Sequence, residues 1–260
     1  MRFKLTLSVD KQSFGNRISF NYMYECSALI YKILSKSNAA FSSWLHENGF
    51  AVNKKRFKLF TFSRLHIPKY RINGQFISIQ SDSIEWLISF LPERSTQEFV
   101  QGIFREQEFE LGNKQANIRC RVQCIEMLPS PEFTECMQFE TLSPICITLN
   151  KDDGKQEYIS PNHPEAARLI HGNLLDKYHA LQGMEFPEKG YRFSLKTLTV
   201  PKSTLVTIKT GTPQESKVRG YLCSLSATAP VELMRIMYEA GVAGKNSLGF
   251  GMLQQKISKT

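Results

Sequence analysis

The chain has 260 residues, of which 42% are hydrophobic and 22% are charged. This is the composition of a folded globular protein, and it excludes disordered, collagen-like and coiled-coil chains. Lysine and arginine number 33 against 24 aspartate and glutamate, a net charge of +9 that favours an anionic partner such as nucleic acid or an acidic membrane surface. No run reaches the roughly 18 apolar residues of a membrane helix, and charges interrupt the start of the chain where a signal peptide needs an apolar run. We therefore expect a soluble, cytoplasmic protein with no membrane partner.

The six cysteines predict neither disulfides nor a zinc site. They form no Cys-x-x-Cys pair and have no histidine nearby to complete a set of zinc ligands, so we expect reduced, mostly buried thiols. Cys120 and Cys124 lie four residues apart in a strand-like run, which predicts that both point to the same face. We favour packing of both thiols in the core. The alternative is that the pair binds a metal ion. No metal or other cofactor is predicted.

The first half of the chain has the order β-α-β-β-α-β. Residues 2–9 alternate polar with apolar side chains, which predicts a strand with one wet face. Helical spacing predicts helices at 21–34 and 39–48, with Ser37 or Asn38 as the cap of the second helix and Gly49 just beyond its end. The elements predicted next are a strand at 58–65, a pair of strands at 76–80 and 85–91, a helix at 95–104 and a strand at 116–127.

The second half begins after LPSPEF, residues 128–133, whose prolines predict a linker. The predicted elements are a strand at 138–149, a helix at 164–182, strands at 192–200, 204–209 and 217–228, a helix at 230–240 and a strand at 251–257. Each half therefore has the ferredoxin-like order. The predicted fold class is α+β, with two tandem ferredoxin-like (RRM-like) domains at residues 1–128 and 133–260.

Residues 241–251, GVAGKNSLGFG, contain four glycines between a predicted helix and the last predicted strand. Glycines let the backbone approach a ligand and turn amide groups toward an anion. The alternative is a turn that only connects two elements, and the spacing is not that of a P-loop or a dinucleotide fingerprint. The candidate binding residues of this loop are Gly244, Lys245, Asn246, Ser247, Gly249 and Gly251.

A basic segment between residues 51 and 73 contains no acidic residue. Aromatic residues interleave with its cations and could stack on bases, which is typical of RNA binding. The alternative is a solvated charged face, and strand alternation predicts that Phe60 and Phe62 point inward. The candidate RNA-binding cations of this segment are Lys54, Lys55, Arg56 and Arg64.

Four segments in order, KLFTFS at 58–63, TLSPI at 141–145, NLLDKY at 173–178 and GKNSLGFGM at 244–252, resemble the CRISPR-associated endoribonuclease family that cuts precursor CRISPR RNA within its repeats. The resemblance covers nearly the whole chain. It departs from the family at Ala243, where glycine is usual.

The resemblance implies a metal-independent cut in which the ribose 2′-hydroxyl attacks the adjacent phosphate and leaves a 2′,3′-cyclic phosphate and a 5′-hydroxyl. It also implies a catalytic Tyr, His and Lys, and Tyr31, His46 and Lys58 occupy the matching positions. A base must take the 2′-proton, an acid must protonate the leaving 5′-oxygen, and a cation must hold the charge on phosphorus. We expect His46 to be the acid, Tyr31 to position or deprotonate the 2′-hydroxyl, and Lys58 to stabilise the phosphate.

Two other functions stay open at this point. One is a non-catalytic crRNA-binding subunit of a CRISPR effector complex, and the other is a small-ligand-binding regulatory protein built from the same domains. The expected partners of the endoribonuclease are CRISPR repeat RNA, a CRISPR effector complex that takes the product, and a second copy of the chain in a homodimer.

Overall fold

The computed structural model describes residues 1–152 and 154–256 and shows an α+β fold of two tandem ferredoxin-like domains. The elements of the first domain are β1 Arg2–Val9, β2 Arg17–Ser19, α1 Met23–Ser37, α2 Ala39–Glu47, β3 Phe50–Val52, β4 Lys55–Phe57, β5 Phe60–Phe62, β6 Tyr70–Asn73, β7 Phe76–Ile79, β8 Ser83–Phe90, α3 Glu93–Arg105, β9 Glu108–Gly112 and β10 Asn117–Leu128.

The second domain follows after the proline-containing segment, whose exact boundary stays a prediction. Its elements are β11 Cys136–Thr141, β12 Ile147–Asn150, β13 Gln156–Ile159, α4 Ala166–Gln182, β14 Ser194–Thr197, β15 Lys202–Ile208, β16 Ser216–Leu222, β17 Ser224–Thr228, α5 Val231–Glu239, a short 3₁₀ turn at Asn246–Leu248 and β18 Leu253–Gln255. The last predicted strand extends to residue 257, which lies outside the described residues.

The four ferredoxin-like strands have the same order in both main sheets, and the first sheet carries β9 as an additional edge strand. The first has the order β5-β8-β1-β10-β9 and the second β14-β17-β11-β18, so in each the first and third strands of the ferredoxin-like unit are central. Alternation in β1 buries Phe3, Leu5, Leu7 and Val9 beneath α1 and α3, and Phe139 and Leu225 lie in the core of the second domain. In the part of the chain that the structure describes, no helix is both long and apolar enough to cross a membrane.

Several predicted strands are shorter or divided, because tertiary pairing interrupts them. The strand predicted at 58–65 begins only at Phe60, since Leu59 has a φ of +54° and packs in the second core. The strand predicted at 138–149 breaks around Pro144, and the one predicted at 217–228 changes sheets at Cys223. The strands predicted at 76–80 and 85–91 do not pair with each other, because β7 joins a separate sheet of order β2-β7-β6.

A β-bulge overturns the prediction for the two neighbouring cysteines. In the pairing of β1 with β10, Thr6 lies opposite Cys124 and Leu7 opposite Val122, so Gln123 is an extra residue on β10. An extra residue reverses which face the side chains beyond it occupy. Cys120 is therefore buried while Cys124 is exposed, and the expectation that both share a face is wrong.

The contacts between the two domains include hydrogen bonds at two places. Near the start of β1, the Arg2 guanidinium lies 3.7 Å from the centre of the Tyr238 ring and donates a 3.0 Å hydrogen bond to the Tyr238 carbonyl. At the other place, the Thr61 hydroxyl of β5 donates a 3.0 Å bond to the Phe250 carbonyl. The second contact brings the loop at 241–251, which we call the glycine loop, against the first domain.

Candidate active site

His46 lies exposed in the last turn of α2, as the sequence predicts. The Asn38 side chain caps this helix by accepting a 3.0 Å bond from the Phe41 amide, and Gly49 with a φ of +61° follows the helix end. A Cβ at Gly49 would stand 2.4 Å from the Phe57 carbonyl oxygen, so only glycine lets the chain turn back this closely. That turn brings the segment after β4 next to the end of α2.

Tyr31 projects from α1 toward the same place. Its ring meets the His46 ring edge to face with 4.9 Å between the centroids, and it packs on Phe60 at 5.7 Å. Its hydroxyl shares a hydrogen bond with the Ser247 side chain of the glycine loop. Burial raises the pKa of the Tyr31 phenol well above its usual value, and the bond to Ser247 offsets only part of this effect. Tyr31 is therefore a neutral hydroxyl at physiological pH.

Lys58 completes the group, although it lies between β4 and β5 rather than at the start of a strand. Its Nζ donates a 2.6 Å hydrogen bond to the His46 carbonyl. Partial burial lowers the pKa of the ammonium, and the nearby charge of Arg56 acts in the same direction. The structure thus brings Tyr31, His46 and Lys58 together from α1, α2 and the segment before β5.

The glycines of the glycine loop serve its packing. Gly249, with a φ of +84°, has no room for a side chain, because a Cβ would stand 2.4 Å from Phe62. The amides of Gly244, Gly249 and Gly251 donate to the carbonyls of Cys146, Asn246 and Pro144 at 2.8 to 3.0 Å. The expectation that these amides face an anion is therefore wrong, and any contact of the three glycines with RNA stays a prediction.

Ala243, where the resemblance predicts glycine, lies at a position where glycine would be unstrained. Its φ is +58°, a left-handed conformation that costs an alanine free energy and a glycine little. The next left-handed residue, Lys245, also has a φ of +58° and is exposed. The backbone at Ala243 therefore has the conformation that glycine would favour.

Asn246 and Lys177 hold the glycine loop from inside. The buried Asn246 amide donates to the carbonyls of Val242 at 3.1 Å and Phe250 at 3.0 Å. The Lys177 Nζ donates to the carbonyls of Gly241 at 2.6 Å and Ala243 at 3.0 Å. The predicted contact of Asn246 with RNA is untested, but its amide hydrogens are occupied within the loop.

Lys177 is the residue that sequence reasoning missed. Its side chain is fully buried, and burial lowers its pKa to about 7. A signal was present, since Lys177 follows Ile170 by seven residues and Leu174 by three, which places it on the apolar stripe of the helix. A lysine on such a stripe needs internal acceptors, and the glycine loop provides them.

The predicted RNA-binding cations divide into two locations. Lys54, Lys55 and Arg56 are exposed at the β3–β4 hairpin close to His46, where Lys55 pairs with Asp176. Arg64 is half-buried, and it lines a cleft of about 310 Å³ between the domains.

The aromatic residues of the basic segment divide in the same way. Phe60 and Phe62 point inward as predicted, whereas Tyr70 is 51% exposed in the cleft that Arg64 lines. Within residues 1–152 and 154–256, no group of three or more His, Cys, Asp or Glu is arranged to hold a metal ion.

The chain is similar in sequence to known proteins along its full length. It is 28% identical over 264 residues to the CRISPR-associated endoribonuclease Cas6 of Pyrococcus furiosus, covering 100% of this chain and 92% of the relative. It is 26% identical over 260 residues to the CRISPR-associated endoribonuclease Cas6 1 of Methanocaldococcus jannaschii, covering 97% and 92%.

Solved structures show the same fold. One from the characterization of a Cas6-related gene from Pyrococcus furiosus has a TM-score of 0.83 at 27% identity, covering 100% of this chain and 99% of the other. Another, of a CRISPR associated protein Cas6, has a TM-score of 0.73 at 26% identity, covering 99% of each chain. A family model described as CRISPR-associated protein Cas6, N-terminal, matches residues 17–120, and one described as CRISPR associated protein Cas6, C-terminal, matches residues 128–255. The chain therefore belongs to the Cas6 family of CRISPR-associated proteins.

Proposed function

We propose that this chain is a metal-independent endoribonuclease that cuts precursor CRISPR RNA within its repeats. In the proposed reaction the 2′-oxygen attacks the adjacent phosphorus, the bond from phosphorus to the 5′-oxygen breaks, and the 5′-oxygen leaves with a proton. The products are a 2′,3′-cyclic phosphate and a 5′-hydroxyl. The observation that carries the proposal is the contact of Tyr31, His46 and Lys58 at an accessible place beside a basic hairpin. The names of the two curated relatives, both endoribonucleases, support it.

His46 is the proposed acid that protonates the leaving 5′-oxygen. Imidazole titrates near neutral pH, so it can hold a proton before the cut and release it during the cut. Its exposed ring is accessible to an RNA strand.

Tyr31 is the proposed positioning group for the 2′-hydroxyl. Because its pKa is raised, the phenol keeps its proton at physiological pH and is a poor base. A neutral phenol both donates and accepts hydrogen bonds, and the Ser247 side chain lies within reach of its hydroxyl. We therefore assign Tyr31 to orientation, and in the proposed reaction the 2′-proton passes to solvent water.

Lys58 is the proposed cation for the charge that develops on phosphorus. An ammonium has three hydrogen-bond donors, and the His46 carbonyl takes one of them. The other two remain for non-bridging phosphate oxygens, where a fixed charge in a partly desolvated site has its largest effect. The same bond to His46 holds the cation beside the proposed acid.

The RNA is proposed to cross the β3–β4 hairpin and the glycine loop. Lys54, Lys55 and Arg56 supply positive charge there, and Lys245 is exposed next to Ser247. Transfer of the product to a CRISPR effector complex and formation of a homodimer also stay proposals.

The test compares two forms of the cognate repeat RNA in the presence of EDTA. The all-ribose form should be cut once, with a 2′,3′-cyclic phosphate on the upstream product, and a single 2′-deoxy substitution at the scissile nucleotide should abolish the cut. Binding of the deoxy form should be unchanged. Cutting of the deoxy RNA, or a requirement for added metal, would overturn the proposed mechanism. Binding without any cutting would instead assign the chain to non-catalytic crRNA binding.

A further inference from the structure

A groove of about 430 Å³ lies beside the candidate active site and takes no part in the chemistry proposed above. It runs between α4, the β12–β13 hairpin, the glycine loop and the tip of the β3–β4 hairpin. We call it the α4 groove, and the residues that matter to its chemistry are Lys55, Thr148, Arg168, Gly172, Asn173 and Lys245.

The glycine loop connects the α4 groove with the candidate site. Lys245 lines the groove, and Ser247, two residues further on, shares a hydrogen bond with Tyr31. Two residues of chain span at most about 7 Å, so a ligand in the groove is close to the proposed position of the scissile phosphate. A strand of RNA bound at the site can therefore reach the groove.

Gly172 leaves the floor of the groove open. No packing contact within the protein requires a glycine at this position. A Cβ built on this residue in the interior of α4 meets nothing within 4 Å. Gly102 in α3 is different, because a Cβ there would stand 2.1 Å from the Ile33 carbonyl oxygen. Glycine inside a helix is destabilising relative to alanine, so a glycine that relieves no contact indicates close approach by something outside the chain.

Asn173, the next residue, is a second and independent sign of a ligand. Its Oδ1 atom is buried and has no hydrogen-bond partner within the part of the chain that the structure describes. Buried acceptors are nearly always paired, because an unpaired one keeps its desolvation penalty. Rotation of the amide would turn this oxygen into the groove that Asn173 lines, where an N–H group of a ligand would pair it.

The charge around the groove favours an anionic ligand. Lys245 is exposed at one end, Arg168 pairs at 2.6 Å with Glu165 of its own helix, and Lys55 pairs with Asp176. Exposed ion pairs are weak, so both paired cations can turn to a phosphate. A ligand with a phosphate and an N–H-bearing base edge fits both the cations and Asn173.

We propose that the α4 groove holds one nucleotide of the repeat RNA next to the scissile linkage, with its phosphate against Lys245 and Arg168 and its base edge donating to Asn173. This inference rests on the proposed function, since it assumes that the RNA crosses the glycine loop. Binding in the groove adds affinity and fixes which linkage of the RNA lies at the candidate active site. The groove contributes no group to the bond-breaking step.

The first test fills the groove with a side chain. Gly172→Phe places a ring in open space, and Gly172→Ala is the matched control, because it removes the same helix glycine and adds a single methyl group. We expect Gly172→Phe to raise the Kd for the uncleavable 2′-deoxy repeat about tenfold, while Gly172→Ala stays within twofold of wild type. Thermal melting of all three proteins establishes that the variants are folded.

The second test removes a cation without filling the groove. Arg168→Gln should lower the slope of log Kd against log salt by about 0.7, the value of one phosphate contact on a single strand. Arg235→Gln is the matched control, since Arg235 is also an exposed helix arginine paired with a glutamate of its own helix. Its slope should equal that of wild type.

The outcomes separate this inference from the proposed function. Wild-type cutting with unchanged binding by both Gly172→Phe and Arg168→Gln would overturn the α4 groove and leave the endoribonuclease proposal standing. Wild-type binding without cutting would overturn the endoribonuclease, and the binding measurements would still decide for or against the groove. Absence of RNA binding by the wild-type protein would overturn both.

Discussion

The buried lysine under the glycine loop makes a prediction that can be tested without knowing the RNA. Lys177 is fully buried, its Nζ donates to the Gly241 and Ala243 carbonyls, and burial lowers its pKa to about 7 from 10.5. Lys177→Met keeps an unbranched side chain of similar length and removes both the charge and the hydrogen bonds. The difference in free energy of unfolding between wild type and this variant should depend on pH.

The sign follows from where the proton is bound. Between pH 7 and 10.5 the lysine of the unfolded chain is protonated, whereas Lys177 of the folded chain has lost its proton. The free energy of unfolding therefore rises with pH in this window, by about 1.4 kcal/mol per pH unit for one proton. Below pH 7 both states are protonated, and this contribution no longer changes with pH.

The hydrogen bonds survive the loss of the proton. A neutral amine still has two N–H groups, which is the number that the Gly241 and Ala243 carbonyls require. Lys177→Met leaves both carbonyls unpaired, at about 1–3 kcal/mol each. At low pH the folded wild-type protein also carries the cost of burying the Lys177 charge. The variant lacks this cost, which offsets its loss of hydrogen bonds. The stability advantage of wild type should therefore grow by about 2.5 kcal/mol between pH 7.5 and 9.5.

Urea unfolding of both proteins at pH 7.5, 8.5 and 9.5 measures this difference, and other titrating groups cancel between them. Lys189→Met is the control, because Lys189 is exposed and its removal should leave the pH dependence unchanged. A constant difference between wild type and Lys177→Met across the three pH values would show that the pKa of Lys177 is not lowered in the folded protein and would refute the reasoning.

Three further predictions concern catalysis and the loop. His46→Ala should slow single-turnover cutting of repeat RNA by on the order of 10²-fold, which is the scale of a lost acid. The Kd for the 2′-deoxy RNA should be unchanged. Equal cutting rates for wild type and variant would remove His46 from the mechanism. Tyr31→Phe should slow cutting without changing the shape of the rate–pH profile up to pH 9.5, because the raised pKa keeps the phenol neutral, and loss of an alkaline limb would instead identify it as a base. Asn246→Leu should lower the free energy of unfolding by about 2 kcal/mol in urea titrations, since the buried Val242 carbonyl loses its donor and the Phe250 carbonyl keeps only that of Thr61. Wild-type stability would show that the amide does not hold the loop.

The regular elements could be predicted from the sequence wherever a single face is buried. The alternation in β1 and the apolar spacing in α1 reflect burial against one core, so local periodicity was sufficient. Pairing between distant segments has no such local signal. The change of sheet at Cys223 and the extra residue at Gln123 depend on the strands opposite them, and the small sheet of β2, β6 and β7 was missed for the same reason.

The candidate site was predictable in part. Of the three catalytic candidates, only Lys58 lies within the four segments that carry the family resemblance, while Tyr31 and His46 precede them. The structure brings the three side chains into contact. What the sequence could not show is how the glycine loop is held. Asn246 is a polar loop residue by its sequence context, yet its amide is buried, and Lys177 is a charged helix residue that no water reaches. Both facts depend on tertiary packing that folds the loop onto α4 and β5.

Gly249 of the second domain packs tightly against the first domain, so residues of both domains form the candidate site. The glycine loop of the second domain lies against Phe62 and Met23 of the first, while Tyr31, His46 and Lys58 all come from the first. Neither half expressed alone would carry a complete site, and recombination between relatives at the linker would succeed only where the two surfaces fit. An exchange of whole domains between relatives therefore requires that the two contacting surfaces fit, in addition to the three reactive side chains.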